Sequence, residues 1–126
     1  MKNRTIFPIL IVFSVFISSC KYDFILPEVV PPVATGVSFS KQVAPIFTIG
    51  DKCTSCHEAG ATDPDLTTAN AFAQINTAKY INKTAPAESR IYAYPAPGTT
   101  THTRKKYTAG EAAIILQWIT EGAINN

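Results

Sequence analysis

Cys53-Thr54-Ser55-Cys56-His57 is the densest concentration of reactive side chains in the sequence. Two thiols three residues apart on one turn of backbone can add to the two vinyl groups of a single porphyrin, and the imidazole that follows then lies under the iron. This is the CxxCH pattern by which c-type haem is attached. Attachment through two thioethers would fix His57 as the fifth ligand and keep haem from dissociating outside the cytoplasm. Three other uses of the same residues compete. A disulfide between Cys53 and Cys56 would close a very short loop and constrain the unfolded chain little. A thioredoxin-like pair needs a preceding strand and a βαβ surround, and neither is present in the pattern. A zinc site needs a fourth ligand, which only His102 or a carboxylate can supply.

The third cysteine, Cys20, belongs to a different chemistry, because an odd count does not suit a disulfide scaffold. Lys2 and Arg4 precede a mostly apolar run from Ile6 to Ile17, and Ser18-Ser19 then lead into Cys20. Residues 1–19 read as a secretory signal. The run is shorter than the roughly 20 residues of a spanning helix, and Pro8 interrupts it. Ile17-Ser18-Ser19-Cys20 resembles the lipobox of bacterial lipoproteins. That resemblance implies cleavage before Cys20, acylation of its thiol and of the new amino terminus, and firm anchoring by more than one acyl chain. The competing reading is an ordinary secretory signal. Export strengthens the haem reading of CxxCH, since haem c is matured outside the cytoplasm.

Residues 20–36 carry Pro27, Pro31 and Pro32 without a helical period and read as a semi-rigid tether. At about 3.1 Å per residue it would reach on the order of 50 Å from the membrane. Its apolar residues Tyr22, Phe24, Ile25 and Leu26 suit contact with lipid or with the folded domain. Residues 37–126 form the single domain that a chain of 126 residues leads one to expect. A domain this small is marginal without a metal, disulfide or cofactor. The formal charge of +2, which falls to balance when Lys2 and Arg4 are removed, gives no support to a nucleic-acid surface.

Helical segments must hold the motif. Ser38 and Ser40 are N-cap candidates for a first helix in which Phe39, Val43, Ile46 and Phe47 share a face. Pro45 lies too deep for a helix capped at Ser40, so a late start or a kink is expected there. Residues 58–65 read as a loop, and Thr67 or Thr68 as the cap of a helix through Phe72 and Ile75. A short helix is expected over residues 87–92, stopped by Pro95 and Pro97. Thr108 and Glu111 form a capping box for the last helix, and Gly122 ends it. Its Ala112, Ile115, Trp118 and Ile119 make one apolar stripe, for which the first helix is the natural partner. Trp118 reads as core packing.

This order of helix, CxxCH, loop, short helices and aromatic terminal helix resembles class I cytochrome c over Val37 to Asn126. More narrowly, Phe39-Ser40-Lys41, Pro45-Ile46-Phe47, Ile115-Leu116-Gln117-Trp118-Ile119 and Glu121-Gly122-Ala123 look like the small monohaem domains of Bacteroidetes-type lipoproteins. The resemblance implies an all-α fold with crossing terminal helices around one covalently attached haem c, and electron transfer. It also places the sixth iron ligand between the last two helices, where most relatives use methionine. Here the only methionine is Met1, in the signal.

His102, after the Pro97-Gly98 loop and before the final helix, takes the expected position. Coordination by His57 and His102 would give low-spin iron suited to a redox relay, with a reduction potential below that of His/Met relatives. The other reading makes His102 a surface residue, leaving an open position or Lys, Tyr or water on the iron. An open position would suit a peroxidase-like enzyme or a gas or redox sensor, and haem that mainly stabilises the fold would suit a binding module. The second nitrogen of His57 is expected to find a carbonyl in the Gly60 to Leu66 loop. Arg90, Arg104, Lys105 and Lys106 are candidates for haem propionates, for docking an acidic redox partner, or simply for a solvated edge. Tyr80, Tyr92, Tyr94 and Tyr107 are not distinguished as pocket or core. The implied location is the periplasmic face or the cell surface, lipid-anchored to a bacterial membrane.

Overall fold

The computed structural model describes residues 29–126; the expected signal peptide, the expected lipidation site Cys20 and the expected tether up to residue 28 lie outside the described residues. Among the described residues every regular element is helical, so the domain is all-α. No helix among them is long and apolar enough to cross a membrane.

The first helical segment shows how one proline is accommodated. Ser38 is its N-cap, with Oγ accepting the Lys41 N–H at 3.3 Å. Phe39–Val43 then winds as a wide π-turn, in which the Val43 N–H reaches back to Ser38 O at 3.3 Å. Helix α1, Ala44–Thr48, starts afresh with Pro45 in its first turn. There the missing N–H removes nothing and the fixed φ is already helical. The expected late start at Pro45 is thus realised, and the change of turn lies in the residues just before it.

Helix α2 is Ala71–Ile75, and its start differs from expectation. Neither Thr67 nor Thr68 caps it; Asn70 precedes it without a capping side-chain bond. Thr67 is engaged elsewhere, its N–H and Oγ both donating to Asp65 Oδ1 at 2.9 and 2.7 Å. Asn70 Nδ2 donates to Asp65 Oδ2 at 2.7 Å. A carboxylate is the stronger acceptor, so Asp65 takes the donors that a threonine cap would have ordered differently.

The helix expected over 87–92 is divided into a 3₁₀ turn, Pro86–Glu88, and helix α3, Arg90–Ala93. Ser89 separates them with ψ 127. Its buried hydroxyl accepts the Asn82 N–H at 2.9 Å, which competes with any capping role.

Helix α4, Ala109–Thr120, has both ends as expected. Thr108 Oγ accepts the Glu111 N–H at 3.2 Å, and the Glu111 carboxylate accepts the Thr108 N–H at 2.7 Å. At the other end Gly122 takes φ 100, a left-handed value that glycine adopts without steric penalty. Gly122 N–H bonds Ile119 O at 3.0 Å and Ala123 N–H bonds Trp118 O at 2.9 Å, the Schellman arrangement.

The apolar face of α4 buries Ala112, Ile115, Trp118 and Ile119. Trp118 meets Phe39 of the first segment with ring centroids 5.3 Å apart and Phe72 of α2 at 6.5 Å. Phe39 and Phe72 meet edge to face at 5.1 Å. The first and last segments thus share one aromatic core. Polar contacts close the same seam: Glu121 accepts the N–H groups of Gly36 and Val37 at 2.9 and 2.8 Å, and Asn126 accepts the Phe39 N–H at 2.8 Å.

Candidate cofactor site

The CxxCH segment follows α1 after the 3₁₀ turn Ile49–Asp51. Cys53 N–H donates to Phe47 O at 2.9 Å, and Cys53 O then accepts the N–H groups of Cys56 and His57 at 3.1 and 2.9 Å. One tight turn therefore carries both thiols and the imidazole. Cys53 is half-buried, Cys56 is exposed, and both are free thiols. Burial pushes the Cys53 thiol up to about 11, against the pull of Lys52. It is therefore protonated at neutral pH, which does not suit thiol–disulfide exchange, where the thiolate is the reactive form.

His57 is oriented by backbone. Its Nδ1 lies 3.1 Å from Thr62 O. A carbonyl can only accept, so Nδ1 carries the proton and the lone pair on Nε2 is left for a metal. Thr62 N–H bonds Cys56 O at 3.0 Å and Leu66 N–H bonds His57 O at 2.8 Å, fixing the loop that presents this carbonyl.

His102 comes from the other side of the site, on the loop between α3 and α4. The Tyr107 N–H donates to Pro95 O at 3.0 Å and closes the base of that loop. The His57 and His102 ring centroids are 6.1 Å apart with 20° between the planes. A metal–imidazole nitrogen bond is about 2.0 Å, with the ring centre about 1.1 Å further back, so two imidazoles on opposite sides of one ion have centroids about 6.2 Å apart. Rotation about that axis is free, so the angle between the planes is unconstrained. His102 Nδ1 is buried with no hydrogen-bond partner. Buried polar atoms are rarely left so, and an orphan here fits a site completed by a bound group.

Both histidines line a cavity of about 710 Å³. This is within the range of about 300–1,000 Å³ typical of small-molecule and cofactor sites. Leu66, Tyr80, Ile91, Pro95 and Tyr107 supply apolar and aromatic walls, while Cys53, Cys56, His57 and His102 all open onto it. Lys52, Arg90, Arg104 and Lys105 also line it. Large apolar walls with several cations suit a flat apolar ligand bearing carboxylates, and haem is such a ligand. Among the described residues no three His, Cys, Asp or Glu side chains converge to hold a bare metal ion.

The cavity separates residues that the sequence left together. Tyr80, Tyr94 and Tyr107 line it and Tyr92 does not; Arg90, Arg104 and Lys105 line it and Lys106 does not. Lys106 instead donates to Thr99 O within the loop. Trp118 is fully buried away from the cavity, in the aromatic core. Lys52 was not singled out by sequence, whereas Thr62 O is the carbonyl expected from the Gly60 to Leu66 loop. Thr62 acts through its carbonyl, which every residue type possesses.

No protein-family model, curated protein or solved structure matches this chain. The likeness to cytochromes therefore stands on the residues quoted for it.

Proposed function

We propose that this protein is an electron carrier holding one haem c through Cys53 and Cys56, with His57 and His102 as its two axial ligands. The observation that supports it most directly is the 6.1 Å separation of two imidazoles that line one cavity together with both thiols. When bound, haem supplies one-electron ferric/ferrous chemistry, with little change of geometry under two imidazoles.

The chain's own residues have separable tasks. Cys53 and Cys56 anchor the porphyrin edge, and Thr62 O holds the His57 ring in the tautomer that ligation needs. His102 closes the opposite side. Leu66, Ile91 and Tyr107 would keep water from the haem, and Arg90 and Arg104, which line the same cavity, would pair with its carboxylates. On this reading residues 1–19 are a signal peptide, Cys20 is lipidated, and the tether holds the domain at the periplasmic face or the cell surface. Its partners would be a membrane, through the anchor, and redox proteins that exchange electrons with it.

Expression with a cytochrome c maturation system, followed by intact mass and optical spectra, tests the proposal. The expected product is red, carries one haem through denaturation, and is low-spin when ferric. A colourless product with free thiols at positions 53 and 56 would overturn it. High-spin ferric iron that takes up cyanide rapidly would replace the relay with a ligand-binding or peroxidase-like function.

A further inference from the structure

The loop bearing His102 is shaped largely from within. Thr99 and Thr101 hydroxyls both donate to Tyr94 O, at 3.0 and 2.9 Å, and Tyr107 N–H to Pro95 O closes the base. These bonds give the loop its form, but they do not fix its distance from the CxxCH turn. Among the described residues, the hydrogen bonds that cross from this loop to that turn come from one side chain. Lys105 Nζ donates to Asp51 O at 2.8 Å and to Ser55 Oγ at 2.9 Å. Ser55 lies between the two thiols, and Lys105 is three residues from His102.

Both ends of this link have unusual backbone. Lys105 has φ 48 and Asp51 φ 49, left-handed values that residues with a Cβ rarely adopt. Gly50, at φ 63, shares the turn with Asp51. Among the described residues three non-glycine residues have positive φ, and two of them are joined by this one contact. Backbone strain persists where surrounding structure imposes it, and it clusters at ligand clamps and switches.

We propose that Lys105 is a positioning residue for the sixth iron ligand, latching the His102 loop onto the CxxCH turn so that His102 stays opposite His57. This rests on the two-histidine reading given above. One ammonium supplies donors to a carbonyl and a hydroxyl together, and both acceptors belong to the segment that fixes the porphyrin edge. Releasing the latch lets the loop swing out with His102 and exposes the distal side to small ligands. The latch thus separates an electron carrier from a protein with an open coordination site.

The test uses the full-length, haem-loaded protein and compares wild type with Lys105→Met, Lys105→Arg, Ser55→Ala and the Lys105→Met/Ser55→Ala double variant. Three readouts are followed: ferric spin state, the rate of cyanide uptake, and hydrogen exchange of the Tyr107 amide. A partly exposed polar link of this kind corresponds to about a three- to fivefold faster cyanide uptake in Lys105→Met. Lys105→Arg keeps the donors and should remain near wild type. Ser55→Ala should be faster than wild type by a smaller factor, and the double variant no faster than Lys105→Met alone, because both changes remove one link. A low-spin wild type whose cyanide rate and Tyr107 exchange are unchanged in Lys105→Met overturns the latch and leaves the two-histidine reading standing. A high-spin wild type overturns both. Should Lys105→Met fail to load haem, Lys105→Asn decides, because it tolerates the left-handed backbone but is too short to reach either acceptor: a wild-type rate there overturns the latch.

Discussion

Lys52 and Glu111 form an ion pair that ties the residue just before the first thiol to the first turn of α4. Glu111 is shared, because the same carboxylate accepts the Thr108 N–H at 2.7 Å in the capping box. One side chain therefore starts the last helix and moors the CxxCH turn to it. Burial raises the Glu111 carboxyl, but the Lys52 ammonium and the Thr108 donors together hold it below its ordinary value of 4.5. A carboxyl lowered in the folded state contributes stability that is complete above pH 4.5 and is lost as pH falls through the folded value. Glu111→Gln should keep the capping geometry and lose the pair, lowering stability at neutral pH by about 1 kcal/mol. Urea unfolding across a pH series checks this: the gap between wild type and variant should close on acidification, and a gap independent of pH would contradict it.

On the proposed reading, His102→Met would exchange the second imidazole for a thioether. Thioether ligation favours the ferrous state, so the variant should have a higher reduction potential than wild type while remaining low-spin. His102→Ala, with no donor, should become high-spin. Potentiometric titration followed by optical spectra measures both. A wild-type potential already in the His/Met range would remove His102 from the iron.

Each thiol makes its own bond in the proposed attachment. Cys56→Ser and Cys53→Ser should each retain haem through one thioether, and the double variant should lose it on denaturation. The exposed Cys56 lies at the edge of the turn, whereas Cys53 is packed against the core, so Cys53→Ser should be the more destabilising of the two. Haem staining of denatured protein and thermal unfolding read the two effects separately.

What the sequence disclosed was local. Thr108, Glu111 and Gly122 were legible because a capping box and a Schellman end are written within a few residues. CxxCH and its turn were legible for the same reason. The start of α2 was not, because Asp65 draws Thr67 and Asn70 to itself, and the outcome of that competition is not visible in propensity. The division at Ser89 has the same kind of cause, a hydroxyl committed to the Asn82 amide. The loop that holds the His57 ring was legible, but Thr62 could not be picked out within it, since its role uses a carbonyl that every residue has. Lys52–Glu111 and Lys105–Ser55 join segments far apart in the chain, and only the fold brings them together.

Trp118 tests whether the aromatic core would also act in the proposed electron transfer. Its ring is fully buried, lies 5.3 Å from Phe39 by centroids, and donates through Nε1 to Ile124 O at 2.9 Å. It does not reach the cavity wall. Its stabilising role follows from area and one hydrogen bond, so Trp118→Ala should cost about 3–5 kcal/mol. Trp118→Phe keeps a ring but loses volume and the donor, leaving Ile124 O to water or unpaired, and should cost about 1–2 kcal/mol. In the Phe variant the reduction potential and the optical spectrum should match wild type. A shifted potential at unchanged stability would mean that the indole influences the cofactor and not only the packing between the first and last helices.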